Sequence, residues 1–175
     1  MEELLILVDE HDNEVGVMDK LSAHKTGVLH RAFSVFIFNT DGELLLQKRA
    51  EGKYHSAGLW SNTCCSHPYK GEKMETAINR RLQEEMGMTC ETGFMFSFIY
   101  KANLENGLSE HEFDHVYFGT TDVPPIPEPA EVQDWKYISL KDLSIDIEKN
   151  PGNYTAWLQI CMPDVIKHKN GDKSL

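Results

Sequence analysis

No apolar run in this 175-residue chain approaches the ~18–20 residues of a membrane span. Positive charge is scarce too. Lys and Arg number 17 against 28 Asp and Glu, a formal charge of −11, which argues against general binding to nucleic acid or to an anionic membrane surface. Cysteine is limited to positions 64, 65, 90 and 161. There is no CxxC pair for a zinc knuckle or a redox motif, and adjacent Cys64 and Cys65 suit no ordinary disulfide ladder. Four free thiols in a reducing compartment are the expectation. Met1-Glu2-Glu3 has neither the basic start nor the apolar stretch of a signal peptide, so a cytoplasmic protein is expected. Repeats and low-complexity blocks are absent. The chain is nevertheless 41% hydrophobic and 10% aromatic, enough to exclude intrinsic disorder. Its length suits one domain with a core of its own, and its composition fits a monomer or a homodimer equally.

Pattern and turn chemistry outline the elements. Leu4 to Val8 reads as a strand before a turn at Asp9 to Asn13, and Asp19 to Gly27 as a polar stretch. Ala32 to Phe38 and Glu43 to Arg49 read as a hairpin around Thr40-Asp41-Gly42. Residues 50–71, rich in Gly, Ser, Asn and His, read as a long functional loop. Met74, Ala77, Ile78, Leu82 and Met86 share one helical face, which predicts a helix over Glu72 to Met86 stopped by Gly87. Phe94 to Lys101 and Glu112 to Thr120 are strand-like, joined through Asn103 to Ser109. Four prolines at 124, 125, 127 and 129 mark a rigid loop. Trp135 to Ile138 reads as a strand and Leu140 to Lys149 as a helix. Asn150-Pro151 opens a last helix to about Ile166, with 167–175 as a disordered tail. The mixture implies an α/β or α+β fold, a mixed sheet flanked by helices, in one domain over residues 1–166.

Arg80-Arg81-Leu82-Gln83-Glu84-Glu85-Met86-Gly87 admits two readings. One is ordinary pairing along the helix, Arg80 with Glu84 and Arg81 with Glu85, worth a few tenths of a kcal/mol per pair. The other is a divalent-metal and diphosphate site. Glu72, Arg80, Leu82, Glu84, Glu85, Gly87 and Met88 resemble the Nudix box, a loop-helix-loop. Ser66 stands where that box has its first Gly, and Arg81 where it has a Glu. The loss of a metal-holding carboxylate weakens the case for hydrolysis and suits a site that leaves a diphosphate intact.

The segment Trp60-Ser61-Asn62-Thr63-Cys64-Cys65-Ser66-His67-Pro68 resembles that of type I isopentenyl-diphosphate isomerases. Further matches are His24 and His30 before Arg31-Ala32-Phe33-Ser34, Glu110-His111-Glu112, and Tyr154-Thr155-Ala156-Trp157. The resemblance runs from about Leu4 to Met162. It implies a metal site of His24, His30, His67, Glu110 and Glu112, whose mixed nitrogen and oxygen donors suit Mn²⁺ or Zn²⁺. Glu110 and Glu112, two apart on a strand, face the same side, and His111 and His115 the other. The implied reaction converts isopentenyl diphosphate to dimethylallyl diphosphate through a tertiary carbocation. Cys65 and Glu112 would be the proton-transfer groups, with the order of donation left open. Tyr100 would hydrogen-bond the carboxylate. Trp157 either offers a π face to the cation or is a plain core residue. Lys20, Arg49, Lys53 and Arg81 would bind the diphosphate, and a Mg²⁺ ion would bridge it to Glu85 and the Cys65 carbonyl. A small-molecule diphosphate is thus the implied partner. A Nudix diphosphohydrolase and a non-catalytic, metal-dependent diphosphate-binding module are the alternatives. A redox thiol protein has no resolving cysteine to support it.

Overall fold

A computed structural model describes residues 3–171. Strand β1 (Leu4–Val8) pairs antiparallel with β2 (Glu14–Asp19), and α1 (Lys20–Thr26) follows at once. The segment read as merely polar is therefore helical. Asp19 caps it through a hydrogen bond from the Ser22 amide at 2.9 Å, and Gly27 ends it in the left-handed region at φ 66°. Strand β3 (His30–Phe38) is the axis of the sheet. It runs parallel to β8 (Ser109–Thr120) at nine paired positions, from His30 opposite Glu112 to Phe38 opposite Thr120. Strand β7 (Thr92–Asn103) completes that side, antiparallel to β8. On the other edge β3 meets β1, β4 (Leu44–Arg49) and β6 (Cys64–Ser66).

The expected hairpin turns at residues 40–42, but β3 and β4 pair only at Phe38 and Leu44. Strand β4 then takes β9 (Val132–Ile138) and β5 (Trp60–Ser61) as partners. The stretch over 50–71 is likewise not structureless, since it contains β5 and β6. Two and three residues are too short to show a strand period, and their pairing is decided by β3 and β4.

Alternation along β3 sorts the core into two layers. Phe33, Val35 and Ile37 pack with Leu45, Cys64 and the apolar face of α2 (Met74–Met86). Phe36 and Phe38 pack with Val116, Phe118, Leu143 of α3 (Leu140–Lys149) and Leu158, Cys161, Met162 and Val165 of α4 (Ala156–Gly171). Helix α2 starts two residues later than its sequence suggests. Glu72 instead accepts from the Tyr69 amide and grips Arg80 with both oxygens at 2.9 Å, tying the preceding loop to the helix. Gly87 closes α2 at φ 58°, where a β-carbon would lie 2.1 Å from the Ile126 carbonyl. The proline-rich loop passes there, and the amides of Ile126 and Glu128 donate to the carbonyls of Met86 and Glu85.

Two boundaries near the C-terminus also differ. Pro151–Asn153 forms a single 3₁₀ turn, and α4 begins at Ala156, after Thr155 donates its amide to the Trp60 carbonyl. Helix α4 continues to Gly171 through most of the expected tail, while 172–175 lie outside the described residues.

Candidate active site

The face of the sheet that meets α4 is apolar at one end and polar at the other. On β8 the inward positions run Glu110, Glu112, Asp114, Val116, Phe118, and on β3 they run His30, Ala32, Ser34, Phe36, Phe38. The apolar ends are covered by α4, and the polar ends open into a pocket lined by Cys65, His67, Tyr100, Glu110, Glu112 and Trp157. Cys65 pairs with Ser34 on one edge of β3, and Glu112 pairs with His30 on the other. The thiol and the carboxylate thus reach the pocket from opposite edges of one strand. Cys64 faces the α2 layer and is fully buried, as alternation requires.

His24, His30, His67 and Glu112 each direct a donor atom to one point, and His24, His55 and Glu110 form an overlapping group. Nδ1 of His24 lies 2.6 Å from the Lys20 carbonyl and Nδ1 of His30 lies 3.0 Å from that of Val28. A carbonyl can only accept, so both rings donate from Nδ1 and turn Nε2 into the site. The Nε2 atoms of His24 and His30 are 3.1 and 4.0 Å from Glu110 Oε2, and those of His30 and His67 are 3.6 and 3.3 Å from Glu112 Oε1. Donors about 2.1 Å from a shared ion sit about 3.0 Å apart at right angles and about 4.2 Å apart across it. All four spacings lie in that range. His30 Nε2 and Glu110 Oε2 are buried without a hydrogen-bond partner, which a divalent cation would supply. The donor set fits such an ion.

Glu112 carries the remaining contacts. Tyr100 donates its hydroxyl to Oε2 at 2.8 Å. Burial works against the ionised carboxylate, yet the His30 and His67 imidazoles beside it hold it well below the usual carboxylate range. Burial likewise opposes the charged form of His67. Glu112 and Glu3 outweigh it and raise this imidazole to about 9. Burial drives the Cys65 thiol up. Its Sγ donates to Asn62 Oδ1 at 3.0 Å and lies 3.4 Å from Ser34 Oγ. Ser34 in turn donates to Asp114 Oδ2 at 2.7 Å, and burial followed by the Glu112 charge pushes Asp114 well above its ordinary value.

Lys20, Arg49, Lys53 and Arg81 all line the same pocket. Each is held there. Lys20 pairs with Glu3 at 3.2 Å and Lys53 with Glu131 at 2.5 Å. Arg49 donates to the His55 carbonyl and sits 5.3 Å from the Trp157 ring. Arg81 spans Glu84 and Glu85 at 2.5 Å each, so the helix pairing foreseen for Glu85 is made, and it is made inside the pocket. Glu85 Oε2 also accepts from Gln47 at 2.9 Å.

His111 and His115 point away and bond the carbonyls of Gly27 and Ala32. Sequence reasoning missed His55, whose Nε2 lies 3.2 Å from Glu110 Oε1. It sits in an irregular stretch with no period to aim it. Asp114 was also missed, although its place two residues after Glu112 was a readable signal.

The NUDIX domain family matches residues 28–158. An isopentenyl-diphosphate Delta-isomerase 2 from Aromatoleum aromaticum is 53% identical over 166 residues, covering 95% of this chain and 88% of the relative. An isopentenyl-diphosphate Delta-isomerase from Pectobacterium atrosepticum is 52% identical over 170 residues, covering 97% and 95%. The chain belongs to the isopentenyl-diphosphate Delta-isomerase family, on a NUDIX domain. Among solved structures, a Deinococcus radiodurans protein superposes with a TM-score of 0.70 at 21% identity, covering 84% of this chain and 90% of that one. A MutT NUDIX hydrolase from Burkholderia pseudomallei gives 0.61 at 24%, covering 77% and 96%. These two share the fold. In this chain Arg81, at the position where the Nudix-box resemblance expects a Glu, pairs with Glu85. No described helix is long and apolar enough to cross a membrane.

Proposed function

We propose that this chain converts isopentenyl diphosphate to dimethylallyl diphosphate with Cys65 and Glu112 as its two proton-transfer groups. The observation that carries this reading is the delivery of a thiol and a carboxylate into one pocket from opposite edges of β3. An alkene is a weak base, so protonation of its terminal carbon needs a positioned acid, and loss of a C2 proton needs a positioned base. One group gives a proton to C4, the double-bond electrons form the new C–H bond, and C3 becomes a tertiary cation. The other group takes a proton from C2, and those electrons close the C2–C3 double bond. One group ends a proton poorer and the other a proton richer. The pair therefore needs only one proton between them, and a neutral thiol beside an ionised carboxylate supplies that count.

Tyr100 fixes the Glu112 carboxylate. Trp157 turns its ring toward the carbon skeleton and stabilises the cation, and bound substrate must displace the pocket's water, which would otherwise trap the cation as an alcohol. Lys20, Arg49, Lys53 and Arg81 hold the diphosphate. His24, His30, His67, Glu110 and Glu112 would hold a divalent cation, for which we favour Mn²⁺ or Zn²⁺, and its charge would tune the acidity of Glu112. Glu85 and the Cys65 carbonyl would hold a Mg²⁺ ion brought by the substrate, which would offset the diphosphate charge. The four cysteines, none in a disulfide, support a cytoplasmic setting.

The test is incubation with isopentenyl diphosphate in D₂O with added Mg²⁺ and Mn²⁺. Dimethylallyl diphosphate carrying deuterium in a methyl group is expected. Release of phosphate without isomerisation would overturn the reading in favour of hydrolysis.

A further inference from the structure

Behind the pocket wall, buried polar groups of β5, β6, the link between them and the start of α4 form one continuous chain. Trp157 Nε1 donates to Ser61 Oγ at 2.9 Å, and Thr155 Oγ1 donates to the same oxygen at 3.1 Å. Ser61 spends its only hydroxyl hydrogen on Asn62 Oδ1, 3.0 Å away. The same Oδ1 accepts from the Cys65 thiol at 3.0 Å. Asn62 cannot turn over, because both hydrogens of its Nδ2 are used on the carbonyls of Val35 and Cys64 at 3.1 Å. Ser61, Asn62 and Thr155 are at most 3% exposed, so water does not compete for these bonds. Every donor in the chain has one acceptor, and the direction of each bond is fixed.

We infer that Ser61 and Asn62 are positioning residues that lock the Cys65 thiol and the Trp157 indole to each other. The proton-transfer sulfur and the ring facing the cation then keep one spacing through turnover. The inference rests on the reading that both groups face the substrate's carbon skeleton. Proton transfer to carbon tolerates little misplacement, and an error of about 1 Å costs on the order of 10²-fold. Neither Ser61 nor Asn62 lines the pocket, so neither is a contact for substrate. Ser61 is the pivot, since a single oxygen serves both branches. Its loss leaves the indole N–H without an acceptor and removes one of the two bonds that fix Asn62 Oδ1.

Two measurements test this. In steady-state kinetics, Ser61→Ala should lower kcat by roughly 10–100-fold with KM within about threefold, and Ser61→Thr, which keeps the hydroxyl, should recover kcat to within about threefold. Wild-type kcat in Ser61→Ala, or an equal loss in both variants, would overturn the inference. In ¹⁵N spectra, the Trp157 indole signal, identified by its loss in Trp157→Phe, should move on Cys65→Ala and stay unmoved by Cys65→Ala in a Ser61→Ala background. Persistence of the shift without Ser61 would refute the coupling. If Ser61→Ala does not fold, the single Cys65→Ala spectrum decides: a moved signal supports the lock and an unmoved one overturns it. The spectra need no turnover, so failure of the lock is distinguishable from failure of the proposed activity.

Discussion

Replacing Arg81 with Ala should damage this protein twice, and the two effects can be measured separately. The guanidinium pairs with Glu84 and Glu85, both at 2.5 Å, with the two acids in very different surroundings. The Glu84 side chain is 47% exposed, so that pair contributes a few tenths of a kcal/mol at most. The Glu85 side chain is 7% exposed. Removing one partner of a buried pair strands the other charge at about 3–5 kcal/mol. Glu85 keeps its bond from Gln47 on the second oxygen and lines the pocket, so a loss of about 2 kcal/mol, below the full cost of a stranded buried charge, is expected. For a chain of this length each kcal/mol moves Tm by about 2–4 °C, giving a fall of roughly 4–8 °C by calorimetry. Arg81 also lines the pocket in which we propose the diphosphate is held, so KM for isopentenyl diphosphate should rise about 10–100-fold, the worth of one charge-assisted contact of about 1.5–3 kcal/mol. Arg81→Lys should recover most of the Tm and less of KM, because an ammonium cannot fork between two carboxylates. If Arg81→Ala shifts Tm by less than 1 °C, the buried-pair argument is wrong. If KM stays unchanged, Arg81 does not hold the diphosphate.

Cys65→Ala should reduce turnover by roughly 10²–10⁴-fold, while Cys64→Ala, on the α2 side, should leave kcat within about threefold; equal losses would show that the wrong thiol has been assigned. Removing metal with a chelator should abolish isomerisation, and His67→Ala and Glu110→Ala should lower the metal content of the purified protein; normal turnover by metal-free protein would rule out the His/Glu site. Burial raises the thiols of Cys64, Cys65 and Cys161, so the folded state binds their protons more tightly than the unfolded chain does. Their contribution to stability is complete below the unfolded thiol value of about 8.5 and is lost as pH rises toward the raised folded values. Tm should therefore hold from pH 7 to 8 and fall above about pH 9, less steeply in Cys161→Ala; an identical alkaline profile in that variant would contradict this assignment. Trp157→Phe should retain more activity than Trp157→Leu, and an ammonium analogue of the cation should lose affinity in the same order; undiminished binding by the Leu variant would make Trp157 a wall and not a source of charge stabilisation.

Elements with a sustained period were legible from the residues. Helix α2 carries five apolar side chains at helical spacing and a stop glycine, and the structure ends it at Met86 as expected. Strand β8 alternates acids and then apolar residues, which put Glu110 and Glu112 on one face before any fold was known. The resemblance of the Trp60 to Pro68 segment and its companion motifs to type I isopentenyl-diphosphate isomerases picked out Cys65, His24, His30 and His67.

What the chain alone could not decide is whatever depends on a partner distant in sequence. Strands β5 and β6 exist because β4 and β3 offer them edges, and five residues contain no signal of that. His55 joins Glu110 across the pocket from an irregular segment, with no period to direct its ring. The pairing of Ser34 with Cys65 on one side and Val116 on the other sets thiol and carboxylate on opposite flanks of β3, a consequence of sheet order and not of local propensity. The sequence determined which chemical groups this protein has and which face of its own element each occupies, since backbone periodicity fixes that locally. Only the tertiary structure decided which of them meet, because contacts between residues 34 and 114, or 61 and 157, form only once the sheet and α4 pack together.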